Sequence, residues 1–277
     1  MDQAIYDHRY FKKMRAGENL SKADNDRFFE GFVKLAAIQT PDTSILDVGC
    51  GRGDLLAYFA KSGANNVFGC DFSPAAVELT RERLAPFLGE STAQKNILLG
   101  SATDRNLFAG GTFDRIFLTD VVEHLPQRDL ELALANIRHW LKPDGTAIIH
   151  TFPTAGIHQL FRRYLKLRGD HSALGKLDAI HCNVQTVRHF KENIENAELT
   201  STKLWLQNDF VLSSSVFQGM HAGIRKRVLA FFFERILSQP LIRSLVRICG
   251  MSESVYPSIY CICTRNSLTL GGGVKNA

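Results

Sequence analysis

No stretch of this 277-residue chain approaches the roughly 20 consecutive apolar residues that a bilayer crossing needs, and the opening MDQAIYDHRYFKK lacks the charged, apolar and small succession of a secretory leader. A cytoplasmic protein is the expectation. Cysteine is sparse and scattered: Cys50, Cys70, Cys182, Cys249, Cys261 and Cys263 form no CxxC pair, which speaks against a zinc ribbon or a dithiol redox centre. Several of them stand in apolar, strand-like runs where buried thiols are ordinary, so free thiols and no metal site are expected. Internal repeats and low-complexity linkers are also missing. What is present is a globular composition, 45% apolar and 22% charged, with enough residues for one full core.

Charge is uneven. Between Phe210 and Ser252 stand six basic residues (Arg225, Lys226, Arg227, Arg235, Arg243 and Arg247) and one acid, Glu234, a local excess of +5 that equals the +5 of the whole chain. Everything outside this segment balances. A surface that coats nucleic acid needs Lys and Arg spread along it, so no nucleic-acid partner is expected. One special basic segment is.

The run DNDRFFEGFVKLAAI, Asp24 to Ile38, predicts an amphipathic helix. An alternation follows: SILDVG as a strand, DLLAYFAKSG as a helix ended by Gly63, NVFGCDF as a second strand, and SPAAVELTRERLAPF as a helix capped by Ser73 with Pro74 at its first position. NILLGS and FDRIFLTD predict strands three and four. DLELALANIRHWL predicts a helix stopped by a turn at Lys142 to Gly145, and TAIIHTF a fifth strand. Strands alternating with helices in this way build a doubly wound, mainly parallel α/β sheet. From Gly156 to Asn183 the chain reads as basic and irregular. NVQTVRHFKENIENAEL then predicts a helix, and TSTKLWL and SIYCICTR predict two closing strands, for seven in all. SLTLGGGVKNA behind them reads as a flexible tail.

The stretch ILDVGCGRGD places Gly49, Gly51 and Gly53 in the first strand-to-helix turn, where an open parallel sheet receives its ligand on bare backbone. Asp71 ends the second strand, where a carboxylate accepts ribose hydroxyls. A dinucleotide fingerprint needs its third glycine at position 54, which is Asp54, and an acid there would face a pyrophosphate. Preceded by Asp47, the pattern suits a nucleoside cofactor with a cationic amino-acid tail.

At these residues the chain resembles the class I S-adenosylmethionine-dependent methyltransferases, of the small-molecule type that acts on ubiquinone precursors. The likeness is carried by ILDVGCGRGD, GCDFSPAAVELTRERL, FDRIFLTDVVEHL and LKPDGTAIIHTF, in the family's order across residues 44–154. It implies a Rossmann-like single domain over residues 1–266: an N-terminal helical cover (1–43), a cofactor-binding core (44–154), an acceptor-side insertion (155–183) and a basic helical insertion (210–255), with a tail over 267–277. It further implies S-adenosylmethionine as cofactor. Asp47, Gly49, Gly51 and Gly53 would lie along its methionine portion, Asp71 would hold the ribose, and Phe72 would lie against the adenine. Ser101, Ala102 and Thr103 would border the adenine edge. Ser101 stands where many members have an acid, and Asp104 is the nearby substitute. Asp120 closes the set at the end of strand four.

Methyl transfer from a sulfonium asks the protein chiefly to align the acceptor and exclude water, and a hydroxyl acceptor gains from a base. Asp120, Glu123 and His124 follow strand four and His150 lies in strand five; as D-x-x-E-H the first three have a divalent-ion reading and a capping reading. The family likeness makes His181 the notable histidine of the insertion that also holds His158 and His171. His124 and His181 are the candidate catalytic residues. GIRKRVLAFFFERILSQPLIRSLVRICG has two readings as well, a basic amphipathic pair resting on an anionic membrane through residues 224–249, or a lid on the protein's own core. The expected activity is methyl transfer, most readily to oxygen, on a small or lipid-linked acceptor. Metal-assisted or RNA O-methylation, a nicotinamide oxidoreductase and a catalytically silent adaptor are the rivals.

Overall fold

Successive residues of a strand point to opposite faces of its sheet, and here each face has its own apolar cover. The computed structural model describes residues 6–13, 22–38, 40–207, 236 and 239–265. Seven strands, β1 (Ile45–Val48), β2 (Val67–Asp71), β3 (Ile97–Leu99), β4 (Phe113–Thr119), β5 (Leu141–Thr151), β6 (Leu199–Gln207) and β7 (Ser258–Arg265), form one sheet in the order β3-β2-β1-β4-β5-β7-β6. The first five pair in parallel, while β7 is antiparallel to both β5 and β6. The sheet is therefore the seven-stranded, mainly parallel one that the alternation predicts.

Leu46 and Val48 of β1, Ile116 and Leu118 of β4, and Ala147 and Ile149 of β5 face one core, shared with α6 (Gln127–Trp140) and α9 (Val187–Asn196) through Leu134, Ile137, Trp140 and Phe190. Their neighbours Ile45, Phe117 and Ile148 face the other core, shared with α2 (Lys22–Ala36), α3 (Asp54–Lys61) and α4 (Pro74–Leu88) through Phe32, Leu56, Phe59 and Leu84. Each such side chain, fully buried, contributes roughly 1.5–3 kcal/mol. The chain reverses direction across the sheet between β1 and β4, so the cleft opens beyond their carboxyl ends.

Local signals hold. Ser73 caps α4 by accepting from the Ala76 amide at 3.2 Å, with Pro74 at the first position. Two expectations are corrected. The turn at Lys142 to Gly145 lies inside β5 as an irregularity, since pairing with β4 jumps from Phe113↔Leu141 to Arg115↔Thr146. The insertion read as irregular forms two helices, α7 (Ala155–Leu167) and α8 (His171–Ile180), because Gly169 and Asp170 interrupt it only once. Asp170 caps α8 through the Ala173 amide at 3.0 Å. A short α5 (Glu90–Asn96) also precedes β3 unannounced. The remaining elements are α1 (His8–Lys13), α10 (Pro240–Ile248) and α11 (Ser252–Val255), between β6 and β7 for the last two. Residues 208–235 and 237–238, which carry most of the basic amphipathic run, and the tail from 266 lie outside the described residues. Among the described residues no helix is long and apolar enough to cross a membrane.

Candidate active site

The loop after β1 turns on three left-handed glycines, with φ of 77°, 53° and 71° at Gly49, Gly51 and Gly53. Two of them are also places of close approach: a Cβ on Gly49 would stand 2.4 Å from Val121 Cγ2, and one on Gly53 2.7 Å from Thr80 Cγ2. Gly51 meets only Phe11, at 3.8 Å, so its left-handed backbone, not crowding, calls for glycine. The Gly51 amide donates to Asp71 Oδ2 and the Ser73 amide to Oδ1, each at 2.9 Å. Asp71 is thereby locked at the tip of β2 with lone pairs left over. Burial raises its carboxyl and these amides oppose the rise.

Asp47 is 3% exposed and its Oδ1 has no hydrogen-bond partner. Burial, then the charges of Asp71 and Asp120, push its carboxyl up to about 8. Three acids thus surround the loop. Asp120 follows β4 at φ 55°, its side chain 52% accessible, with Oδ1 3.0 Å from His150 Nδ1. The His150 pairing, with lesser help from His124 and His181, holds this half-exposed carboxylate below its ordinary value. Such a ring of acids repels a pyrophosphate and accepts a cation. Asp54 does not contribute to that repulsion as its position suggested, since it pairs with Arg52 at 2.7 Å and Arg83 at 2.6 Å.

Beyond β2, Phe72 meets Tyr6 edge to face at 5.1 Å. Beyond β3, Ser101 and Thr103 share a hydroxyl hydrogen bond of 2.8 Å, and the Ala102 carbonyl accepts from Asn136 at 2.9 Å. Asp104 accepts from the Asn106 amide at 3.0 Å, capping a single 3₁₀ turn, which engages the carboxylate proposed as a substitute for Ser101.

Past β4 the chemistry changes. His124 Nδ1 lies 2.8 Å from the Ile180 carbonyl, so that nitrogen carries the proton and Nε2 is the acceptor. The His181 ring stacks on it at 5.2 Å and 30°, and His158, from α7, stands edge-on to His181 at 6.0 Å. Burial, then its two imidazole neighbours, pushes His181 down to about 3, and burial lowers His124 and His158 too. His181 Nδ1 and His158 Nε2 are buried without partners. Glu123 is 1% exposed and accepts from Thr151 Oγ1 at 2.8 Å; burial and Asp120 push it up to about 8. Asp120, Glu123 and His124 therefore face three different partners, His150, Thr151 and Ile180. Among the described residues no group of three or more His, Cys, Asp or Glu is arranged to hold a metal ion. His171 lies apart, at the start of α8.

A family model described as a methyltransferase domain matches residues 45–145, the stretch that carries the glycine loop, all three acids and His124. The chain is 33% identical over 119 residues to a ubiquinone biosynthesis O-methyltransferase of Xanthomonas campestris pv. campestris, covering 42% of this chain and 46% of that protein. Residues 45–145 are thus a methyltransferase domain, and the relatives and the fold support the class I S-adenosylmethionine-dependent kind. The chain is also 24% identical over 221 residues to a probable fatty acid methyltransferase of Pseudomonas putida, covering 71% of the chain and 54% of the relative. It spans between 4% and 46% of the first curated relatives that it matches. In fold it is similar to geranyl diphosphate C-methyltransferase from Streptomyces coelicolor A3(2), a complex with Mg²⁺, geranyl diphosphate and S-adenosyl-L-homocysteine, with a TM-score of 0.58 at 14% identity over 93% of this chain and 84% of that one.

The family's cofactor, S-adenosylmethionine, fits the residues present. The orphaned Asp47 Oδ1, the bare backbone at Gly51 and the acid ring are what a cationic amino-acid tail with a ribose requires. The sequence reading missed Tyr6, just before α1, and Tyr10 and Phe11 within it, which lie over the loop and Phe72. Their aromatic spacing in IYDHRYF, four apart and then adjacent, was the available signal. Burial pushes Tyr6 up to about 12 and raises Tyr10 further, so both phenols stay protonated.

Proposed function

We propose that this methyltransferase moves a methyl group to a hydroxyl oxygen of a small or lipid-linked acceptor. The observation that carries the reading is the juxtaposition of an acid-ringed glycine cradle with a pair of stacked, neutral imidazoles at the end of β4. When bound, S-adenosylmethionine supplies a methyl group activated by a cationic sulfur. Asp47, Gly49, Gly51 and Gly53 hold its amino-acid portion, Asp71 its ribose, and Phe72 with Ser101, Ala102 and Thr103 its base. Asp120, kept ionised by His150, adds negative charge beside that cation. His124 Nε2, its opposite nitrogen fixed on Ile180, takes the acceptor's proton, and His181 positions the His124 ring by stacking. Tyr6 and Tyr10 close the cleft and exclude water.

The acceptor class draws support from two relatives, by name a ubiquinone biosynthesis O-methyltransferase and a probable fatty acid methyltransferase. The basic run at residues 224–249 supports peripheral contact with an anionic membrane. Calorimetric titration with S-adenosylhomocysteine, with NAD⁺ as comparison and Mg²⁺ present or absent, tests the donor. Micromolar binding of the first alone is expected, followed by turnover of phenolic or quinol acceptors. A folded sample that binds neither compound would move the adaptor reading to the front.

A further inference from the structure

Eleven large apolar side chains stand exposed among the described residues, and eight of them fall in two short stretches, 160–167 and 236–251. On α7, Leu160 is 47% and Leu167 89% accessible, with Tyr164 between them; on α10, Leu241 and Ile248 are each 80% accessible, with Leu245 between them. Both sets follow the i, i+4, i+7 spacing that makes one row along a helix. Neither helix contains an acid. Arg162, Arg163 and Lys166 lie on α7, and Arg243 and Arg247 on α10. Arg162 turns inward to Asp178 of α8, which leaves the others at the rims. On α10 only Ile242 and Val246 are half-buried, so the helix lies on the surface by one narrow line of contact.

The two helices meet at a common neighbour. α11 follows α10 directly and packs on the start of α7, where a Cβ on Gly156 would come within 2.5 Å of the Glu253 carbonyl. The same junction is tied to the end of β5, for Thr154 Oγ1 donates to the Glu253 carbonyl at 2.7 Å. His158 of the imidazole cluster sits one turn along α7, on its buried side. α7 therefore turns His158 toward the imidazole cluster and its exposed row the other way, and α11 links it to α10.

We infer that α7 and α10 together form the face by which this protein rests on an anionic lipid bilayer. The occupant follows from chemistry. The apolar side chains stand exposed in two rows, which a fluid acyl layer receives, and cations on helices without acids select anionic headgroups. α7 brings to this face a row that the basic run alone does not contain. The inference rests on the lipid-linked acceptor reading for its purpose, but the contact is measured without turnover.

The full chain is floated with vesicles of phosphatidylcholine alone and with an equal mixture of phosphatidylcholine and phosphatidylglycerol. Wild type should float with the mixed vesicles only and release in high salt. The exposed pairs Leu160→Ser/Leu167→Ser and Leu241→Ser/Ile248→Ser should each lower the bound fraction about threefold or more, with S-adenosylhomocysteine affinity unchanged as the measure of folding. Wild type that binds S-adenosylhomocysteine but never floats would overturn the inference, as would pairs that float like wild type. A wild-type dimer that both pairs dissolve, with no flotation, would assign the face to a second copy of the chain and overturn it equally. Flotation without S-adenosylhomocysteine binding would uphold this face and sink the donor assignment instead.

Discussion

The two ends of the cleft solve opposite electrostatic problems. At the β1–β2 end, three acids crowd a loop of bare backbone, and one of them, Asp47, is forced up to about 8 by burial and by the charges of Asp71 and Asp120. At the β4–β5 end, three imidazoles drawn from the turn after β4, from α7 and from the end of α8 are each held neutral by burial. The proposed chemistry asks one end to receive positive charge and the other to take a proton without carrying one beforehand. A donor that is cationic and an acceptor that loses a proton need these two environments side by side.

The sharpest way to break the pairing is to disable one end and watch the other. His124→Ala should lower kcat by about 10²–10⁴, the usual worth of a general base, while S-adenosylhomocysteine affinity measured by calorimetry stays as in wild type. Equal losses in both would mean that His124 supports the fold and not the proton transfer. Gly49→Ala attacks the opposite end. Its left-handed φ and the 2.4 Å approach to Val121 should cost roughly 1–3 kcal/mol, seen as an affinity loss of about ten- to a hundredfold. Adding Val121→Ala should restore only part, since the φ strain remains; full rescue would show that crowding alone matters there.

Asp71→Ala comes next. Losing a carboxylate fixed by the Gly51 and Ser73 amides should weaken S-adenosylhomocysteine binding by about tenfold or more, and Asp71→Asn less. Unchanged affinity in the alanine variant would remove the ribose from Asp71.

The same contrast decides how much could be read beforehand. The cradle was legible because it is contiguous and uses residues whose presence is costly elsewhere: glycines at positive φ in ILDVGCGRGD, an acid closing VFGCD, a capping Ser73. The imidazole end was legible only as candidates, since His124, His158 and His181 come together through helices α7 and α8 that the sequence did not announce. Their basic, histidine-bearing composition masked a helical period whose apolar row points outward. Asp54 was read for its position and not for its partners, and only the fold brings Arg83 to it. The α1 aromatics lie some forty residues before the loop they cover, and nothing local ties them to it.

The last test probes the acid ring without any ligand. Asp47 ionises near 3.8 in the unfolded chain and at about 8 in the fold, so between these values the folded protein binds more protons than the unfolded one. Stability is therefore full below about pH 4, falls as pH rises through that window, and levels off above about 8. Asp47→Asn cannot ionise and lacks this slope. In thermal melts from pH 5 to pH 9, the apo wild type should lose more Tm than Asp47→Asn does; each kcal/mol of difference amounts to about 2–4 °C in a protein of this size. Saturating S-adenosylhomocysteine, whose ammonium group would share the Asp47 site, should flatten the wild-type slope toward that of the variant. Parallel slopes for the two proteins without ligand would mean that Asp47 is already matched by a charge in the folded protein, and the cation-receiving end of the comparison would lose its main support.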